Sequence, residues 1–125
     1  MKDTRPNTTI DFTKIKLPLP AITSIIHRIS GGFIFFGLAV LLWLFSESLS
    51  SEEGFLQVRQ WLGMTVVKLV LWAILAGFLY HFIAGIKHLL MDLGFGETFE
   101  AAVISAKVII VLSAISFILA GIWIW

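Results

Sequence analysis

Three apolar stretches of membrane length, each nearly free of charge, limit what this chain can fold into more than any other feature. No charged residue lies between Arg28 and Glu47, the run from Trp61 to Lys87 is interrupted by Lys68 alone, and the chain is uncharged after Lys107. A helix crosses the hydrocarbon core with about 20 apolar residues. Inside that core every backbone N–H and C=O must be satisfied within the segment, which restricts such stretches to helices or a closed barrel. The expected fold is an all-α membrane protein with three transmembrane helices, over about 21–46, 61–88 and 101–125. These form one anchor domain over 21–125, preceded by a polar arm over 1–20 that is broken by Pro6, Pro18 and Pro20. Residues 46–60 are polar and acidic and are expected to form an external loop with an interfacial turn near Phe55. Residues 88–100 return to water through Asp92, Gly94, Gly96, Glu97 and Glu100.

Orientation follows from the placement of lysine and arginine, since acidic residues weigh little. The arm and the start of the first span hold Lys2, Arg5, Lys14, Lys16 and Arg28. The first connection has Arg59 and Lys68, the second has Lys87 and Lys107, and the C-terminus has none. The N-terminus is therefore expected in the cytoplasm and the C-terminus in the periplasm, with the start of helix one and the end of helix two at the cytoplasmic face. No signal peptide is expected, because the first long apolar run begins near residue 29 and no small-residue cleavage site follows it. The arm also lacks the Arg-rich, acid-poor character of a mitochondrial transit segment, which favours a bacterial inner membrane.

Within the second span, Gly77, His81, Gly85 and His88 recur at intervals of four, four and three and so share one helix face. A histidine at this depth either hydrogen-bonds a neighbouring helix or faces a cavity, a cofactor or a partner. The glycines one turn to either side of His81 leave room for a flat, bulky ligand, and serve equally well for close helix packing. The chain has no cysteine, so a metal here would rely chiefly on histidine, with no thiolate and no covalent haem motif. A net charge of +1 argues against nucleic acid as a partner.

At the start of the first span, Ser24, His27 and Arg28 fall on one side, with Gly31 and Gly32 a turn further in. Taken singly, Arg28 fits an interfacial anchor and Ser24 a helix cap. Together they set a hydroxyl, an imidazole and a guanidinium at the membrane depth of His81 and His88. Arginine and histidine can receive the carboxylates of a haem, and serine with arginine can hydrogen-bond a quinone carbonyl.

The segments RPNTTIDFTKIKLPLPAITSIIHRISGG and YHFIAGIKHLLMDLGFGE resemble the cytochrome b556 membrane-anchor subunits of succinate dehydrogenase, respiratory complex II. The resemblance covers nearly the whole chain; its most specific parts are S-I-x-H-R-x-S-G from Ser24 to Gly31 and the pattern formed by His81, His88 and Asp92. It implies that His81 is an axial ligand of haem b iron, that Ser24 and Arg28 bind ubiquinone, and that His27, Arg28 and His88 lie near the haem propionates. The second axial ligand is then expected from another membrane-anchor subunit, because His27 lies near the helix entrance. The implied complex adds a flavoprotein with FAD and an iron–sulfur subunit, which oxidise succinate, while this chain carries no catalytic residue of its own. Two alternatives are weighed against this reading. One is the anchor of a quinol:fumarate reductase, distinguished by quinone preference. The other is a non-redox membrane scaffold with packing histidines, distinguished by the absence of a reducible b-type spectrum.

Overall fold

The computed structural model describes residues 16–125, so Lys2, Arg5, Pro6 and Lys14 of the arm lie outside the described residues. Four helices follow in order: α1 (Leu19–Ser50), α2 (Glu52–Gly63), α3 (Thr65–Asp92) and α4 (Phe99–Ile124). Three of them, α1, α3 and α4, are long and apolar enough to cross a membrane.

Helix α1 starts at Leu19, with extended Pro18 as its N-cap and Pro20 within the first turn. The missing N–H of a proline costs nothing there, because first-turn donors have no intrahelical partner. At 32 residues α1 measures about 48 Å, longer than the ~30 Å hydrocarbon core, so it must tilt or project beyond it. Its last turns absorb their hydroxyls locally: Ser48 Oγ donates to the Phe45 carbonyl at 2.7 Å and Ser50 Oγ to the Glu47 carbonyl at 2.8 Å.

Where the sequence reading expects a loop over 46–60, the chain instead completes α1 and forms α2. Ser51 Oγ accepts from the Gly54 N–H at 2.9 Å, and Glu52 and Glu53 occupy the first turn, where the helix dipole favours negative charge. Gly54 and Val58 are buried. A Cβ at Gly54 would lie 2.6 Å from the Glu47 carbonyl oxygen, so only glycine lets α2 fold back onto the end of α1. The Trp43 and Trp61 rings stack at 5.4 Å and secure the contact.

Helix α3 ends in a Schellman motif: Phe95 N donates to the Leu90 carbonyl and Gly94 N to the Met91 carbonyl, both at 2.9 Å, with Gly94 at φ 86°. Thr98 then caps α4 by accepting from Ala101 N at 3.2 Å. This tight connection makes α3 and α4 antiparallel.

Helix α3 packs against both α1 and α4. On α1, Thr23, Ser30, Gly37 and Leu44 are buried, one every two turns, and form the seam that faces α3. Glycines set the separation, as is usual where lipid supplies no hydrophobic drive between helices. A Cβ on Gly37 would meet Ile74 Cγ2 at 2.9 Å, and one on Gly77 would meet the Phe33 ring at 2.8 Å. The α4 side buries Ala102, Ala106, Ile109 and Ala120. Trp72 crosses from α3 to donate its Nε1–H to the Phe117 carbonyl at 2.9 Å, and Gly121 makes room for its ring. Lys68 extends towards the end of α4, with Nζ 5.9 Å from the Trp125 ring centroid. The outward faces stay apolar, with Phe35 and Phe36 each 71% exposed, as suits contact with lipid or another membrane subunit.

Candidate functional site

Three imidazoles gather where α1 begins and α3 ends. The antiparallel crossing sets His27 of α1 opposite Gly85 and His81 of α3. The His27 and His81 rings stack with centroids 4.1 Å apart and planes 13° from parallel. His88, two turns further along α3, tilts towards His27 at 5.0 Å and 42°. The seven-residue spacing places His81 and His88 on one face, and His27 touches both rings.

The orientation of His81 is held by polar contacts. Its Nδ1 lies 3.1 Å from the His27 carbonyl oxygen and 3.0 Å from Ser30 Oγ, while Ser30 Oγ donates to that same carbonyl at 2.7 Å. A carbonyl can only accept, so Nδ1 carries the proton and its contact to Ser30 is also a donation. Nε2 is then the unprotonated nitrogen and presents a lone pair. On the other side of the crossing, a Cβ on Gly31 would stand 3.0 Å from His81 Cε1, so the glycine is what admits the ring. Tyr80 adds a second tie by donating its hydroxyl to the Thr23 carbonyl at 2.8 Å, and Thr23 Oγ1 donates to the Pro20 carbonyl at 3.0 Å.

His27 Nε2 is buried and has no hydrogen-bond partner among the described residues. Leaving such an atom unsatisfied costs about 1–3 kcal/mol, which suits a site completed by a further group. The donor set fits a porphyrin-held metal: one imidazole with a fixed lone pair and a second whose buried nitrogen requires a partner. Among the described residues no set of three or more His, Cys, Asp or Glu side chains converges as a metal-ion site.

Ser24 is half-buried and Arg28 exposed, one turn apart on the flank of α1 beside His27. Neither hydrogen-bonds to the histidines. Lys87 lines a different space, an apolar cleft of about 590 Å³ between α3 and α4 bounded by Ile83, Leu90, Phe95 and Ile104. That cleft lies on the side of α3 away from the histidine face, and no histidine borders it.

The sequence pattern carries Ser30 only as a fixed position of S-I-x-H-R-x-S-G, with no role of its own, and gives none to Thr23 or Tyr80. The available signal was small: Thr23 and Ser30 are hydroxyls seven residues apart in an apolar helix, on the same side as His27.

Residues 1–120 match the succinate dehydrogenase/fumarate reductase transmembrane subunit family. The succinate dehydrogenase cytochrome b556 subunit of Coxiella burnetii is 42% identical over 117 residues, covering 93% of this chain and 94% of that one. The subunit of the same name from Paracoccus denitrificans is 34% identical over 108 residues, covering 83% and 80%. The mitochondrial succinate dehydrogenase cytochrome b560 subunit of Mus musculus is 32% identical over 110 residues, covering 84% and 63%. With three membrane-length helices and a match that spans nearly its full length, the chain belongs to the succinate dehydrogenase/fumarate reductase transmembrane subunits and is a multi-pass membrane protein.

Proposed function

We propose that this chain is a membrane-anchor subunit of succinate:ubiquinone oxidoreductase that holds haem b through His81 and forms part of the ubiquinone-reduction site with Ser24 and Arg28. The observation that carries the haem assignment is the contact of His81 Nδ1 with the His27 carbonyl and Ser30, which assigns the proton to Nδ1 and leaves the Nε2 lone pair for iron. When bound, the haem supplies a one-electron centre tuned by its axial ligands, by contacts to its propionates and by burial.

His27 and His81 cannot be the two axial ligands of one iron. The two rings lie stacked face to face at 4.1 Å, an arrangement in which their nitrogens do not point at a common centre between them. His81 would thus hold the haem from one side, and a residue of another anchor subunit would supply the second iron ligand. His27, with its buried Nε2, and His88 beside it are suited to meet the propionates, with Arg28 contributing charge from the adjacent turn.

Reduction of ubiquinone to ubiquinol takes two electrons and two protons. Ser24 donates a hydrogen bond to a quinone carbonyl, and the Arg28 guanidinium stabilises the negative charge that develops on that oxygen. The electrons originate in partner subunits, a flavoprotein with FAD that oxidises succinate and an iron–sulfur relay. The polar stretch ahead of α1 belongs to the cytoplasmic side, and the helices from α1 onward make up the transmembrane anchor domain, in a bacterial inner membrane. The N-terminus lies in the cytoplasm and the C-terminus in the periplasm, so protons reach the quinone from the cytoplasmic side.

The test is an optical spectrum of the complex purified with its partners, taken before and after adding succinate or dithionite, beside succinate:ubiquinone activity in the same preparation. A reducible b-type spectrum together with quinone reduction is the expected result. An active, correctly assembled complex with no haem would refute the assignment to His81, and a stable haem-free chain without partners would favour a scaffold.

A further inference from the structure

We infer that Ser30 is a positioning residue for the iron ligand: beside the His27 carbonyl, which sets the tautomer, its hydroxyl holds the plane of the His81 ring and, by accepting from Nδ1–H, lowers the reduction potential of the metal that Nε2 binds. This rests on the reading of His81 as the haem ligand.

Ser30 is 8% exposed, in the buried seam of α1 that faces α3. Its single hydroxyl proton goes to the His27 carbonyl, the shorter of its two contacts at 2.7 Å against 3.0 Å to His81 Nδ1. The oxygen lone pairs then face the imidazole N–H. Reversing the bond, with Ser30 donating to a deprotonated Nδ1, would set that lone pair against the His27 carbonyl oxygen 3.1 Å away. Ser30 therefore serves two ends: it occupies the carbonyl with one proton and accepts another from the ring.

A hydrogen bond accepted from the non-ligating nitrogen raises the basicity of the ligating one. A more basic ligand stabilises the ferric over the ferrous state, and losing the bond moves the midpoint potential upward. The stacked His27 ring covers one face of His81, and Gly31 brings α1 backbone against Cε1, so without the Ser30 hydroxyl the ring stays in place and Nδ1–H keeps one acceptor, the His27 carbonyl at 3.1 Å, in place of two.

The experiment uses the complete purified complex carrying Ser30→Ala, Ser30→Thr or Ser30→Val, with the haem midpoint measured by redox titration of its optical spectrum. Threonine keeps the hydroxyl, and valine has the same shape without it. Ser30→Ala and Ser30→Val should raise the midpoint by about threefold in the ferrous-to-ferric ratio, about 28 mV for a one-electron couple. Ser30→Thr should keep the parental value. Loss of haem from the alanine and valine variants with retention in threonine would equally support the role. Parental midpoints in all three variants, or equal shifts in threonine and valine, would overturn it, since the first leaves the hydroxyl without influence and the second makes the effect one of volume. A haem-free parental complex would instead refute the ligand assignment beneath it.

Discussion

Replacing Gly31 with alanine tests whether the α1–α3 crossing is set by the imidazole it shelters. The new Cβ would lie 3.0 Å from His81 Cε1, whereas non-bonded carbons prefer about 3.5–4.0 Å. The ring must give by a few tenths of an ångström. Its Nδ1 bonds, at 3.0 and 3.1 Å, already lie towards the long end of the usual range, and such a shift stretches and weakens at least one. One hydrogen bond is worth about 0.5–1.5 kcal/mol, of which stretching forfeits part, and a strained side-chain rotamer costs a similar amount. Against this, alanine is better than glycine in a helix by about 1 kcal/mol. The terms leave Gly31→Ala destabilised by up to about 1 kcal/mol, concentrated at the iron ligand. The assay is haem content per purified complex, with the thermal melt of the same sample. Gly31→Ala should lower haem occupancy or broaden its spectrum, and Gly31→Val should do so more severely. Parental haem content, spectrum and melting temperature in both variants would show that the ring does not pack against this glycine.

Two further outcomes follow from the same arrangement. Ser24→Ala should impair succinate:ubiquinone activity with haem retained, by about 0.5–1.5 kcal/mol for one hydrogen bond to a neutral carbonyl, and Arg28→Leu should be worse because a charge-assisted donor is lost; assay of succinate oxidation with an artificial acceptor should remain at the parental rate, and unimpaired ubiquinone reduction in both variants would remove these residues from the quinone site. Single cysteines at Ser51, between α1 and α2, and at Glu97, between α3 and α4, should react with an impermeant thiol reagent from the periplasmic and the cytoplasmic side respectively; the opposite pattern would invert the topology.

The three spans were legible in the sequence because apolar length is a requirement of the solvent itself, independent of how the helices later pack. Their ends were less so. The stretch from Ser46 to Gln60 reads as a polar loop because its helix-forming signals are local and short: a capping serine at Ser51, acids at Glu52 and Glu53, and a glycine at Gly54 whose need appears only when α2 lies against α1. Part of the site was equally visible. His81 and His88 share a face by helical period alone, and His27 was singled out beside Ser24 and Arg28. What the period cannot supply is the relative height of two helices. Ser30 in isolation looks like a hydroxyl bonded to its own turn, which it is, at 2.7 Å from the His27 carbonyl. Its second role arises only because Gly31, Gly37 and Gly77 let α1 and α3 approach closely enough to bring His81 Nδ1 to it. Ser24 and Arg28 lie on the outward flank of α1, half-buried and exposed respectively, where the fold of this chain alone does not enclose them.

The most direct test of the account is the dithionite-reduced minus oxidised spectrum of the purified complex carrying His81→Ala, compared with His88→Ala. Removing His81 deletes the imidazole that Ser30 and the His27 carbonyl hold in place, so the b-type spectrum should be lost or converted to one with an altered axial ligand, while His88→Ala should retain haem with a milder change. An unchanged bis-histidine spectrum in His81→Ala, or loss of haem in His88→Ala alone, would contradict the central claim that His81 is this chain's iron ligand.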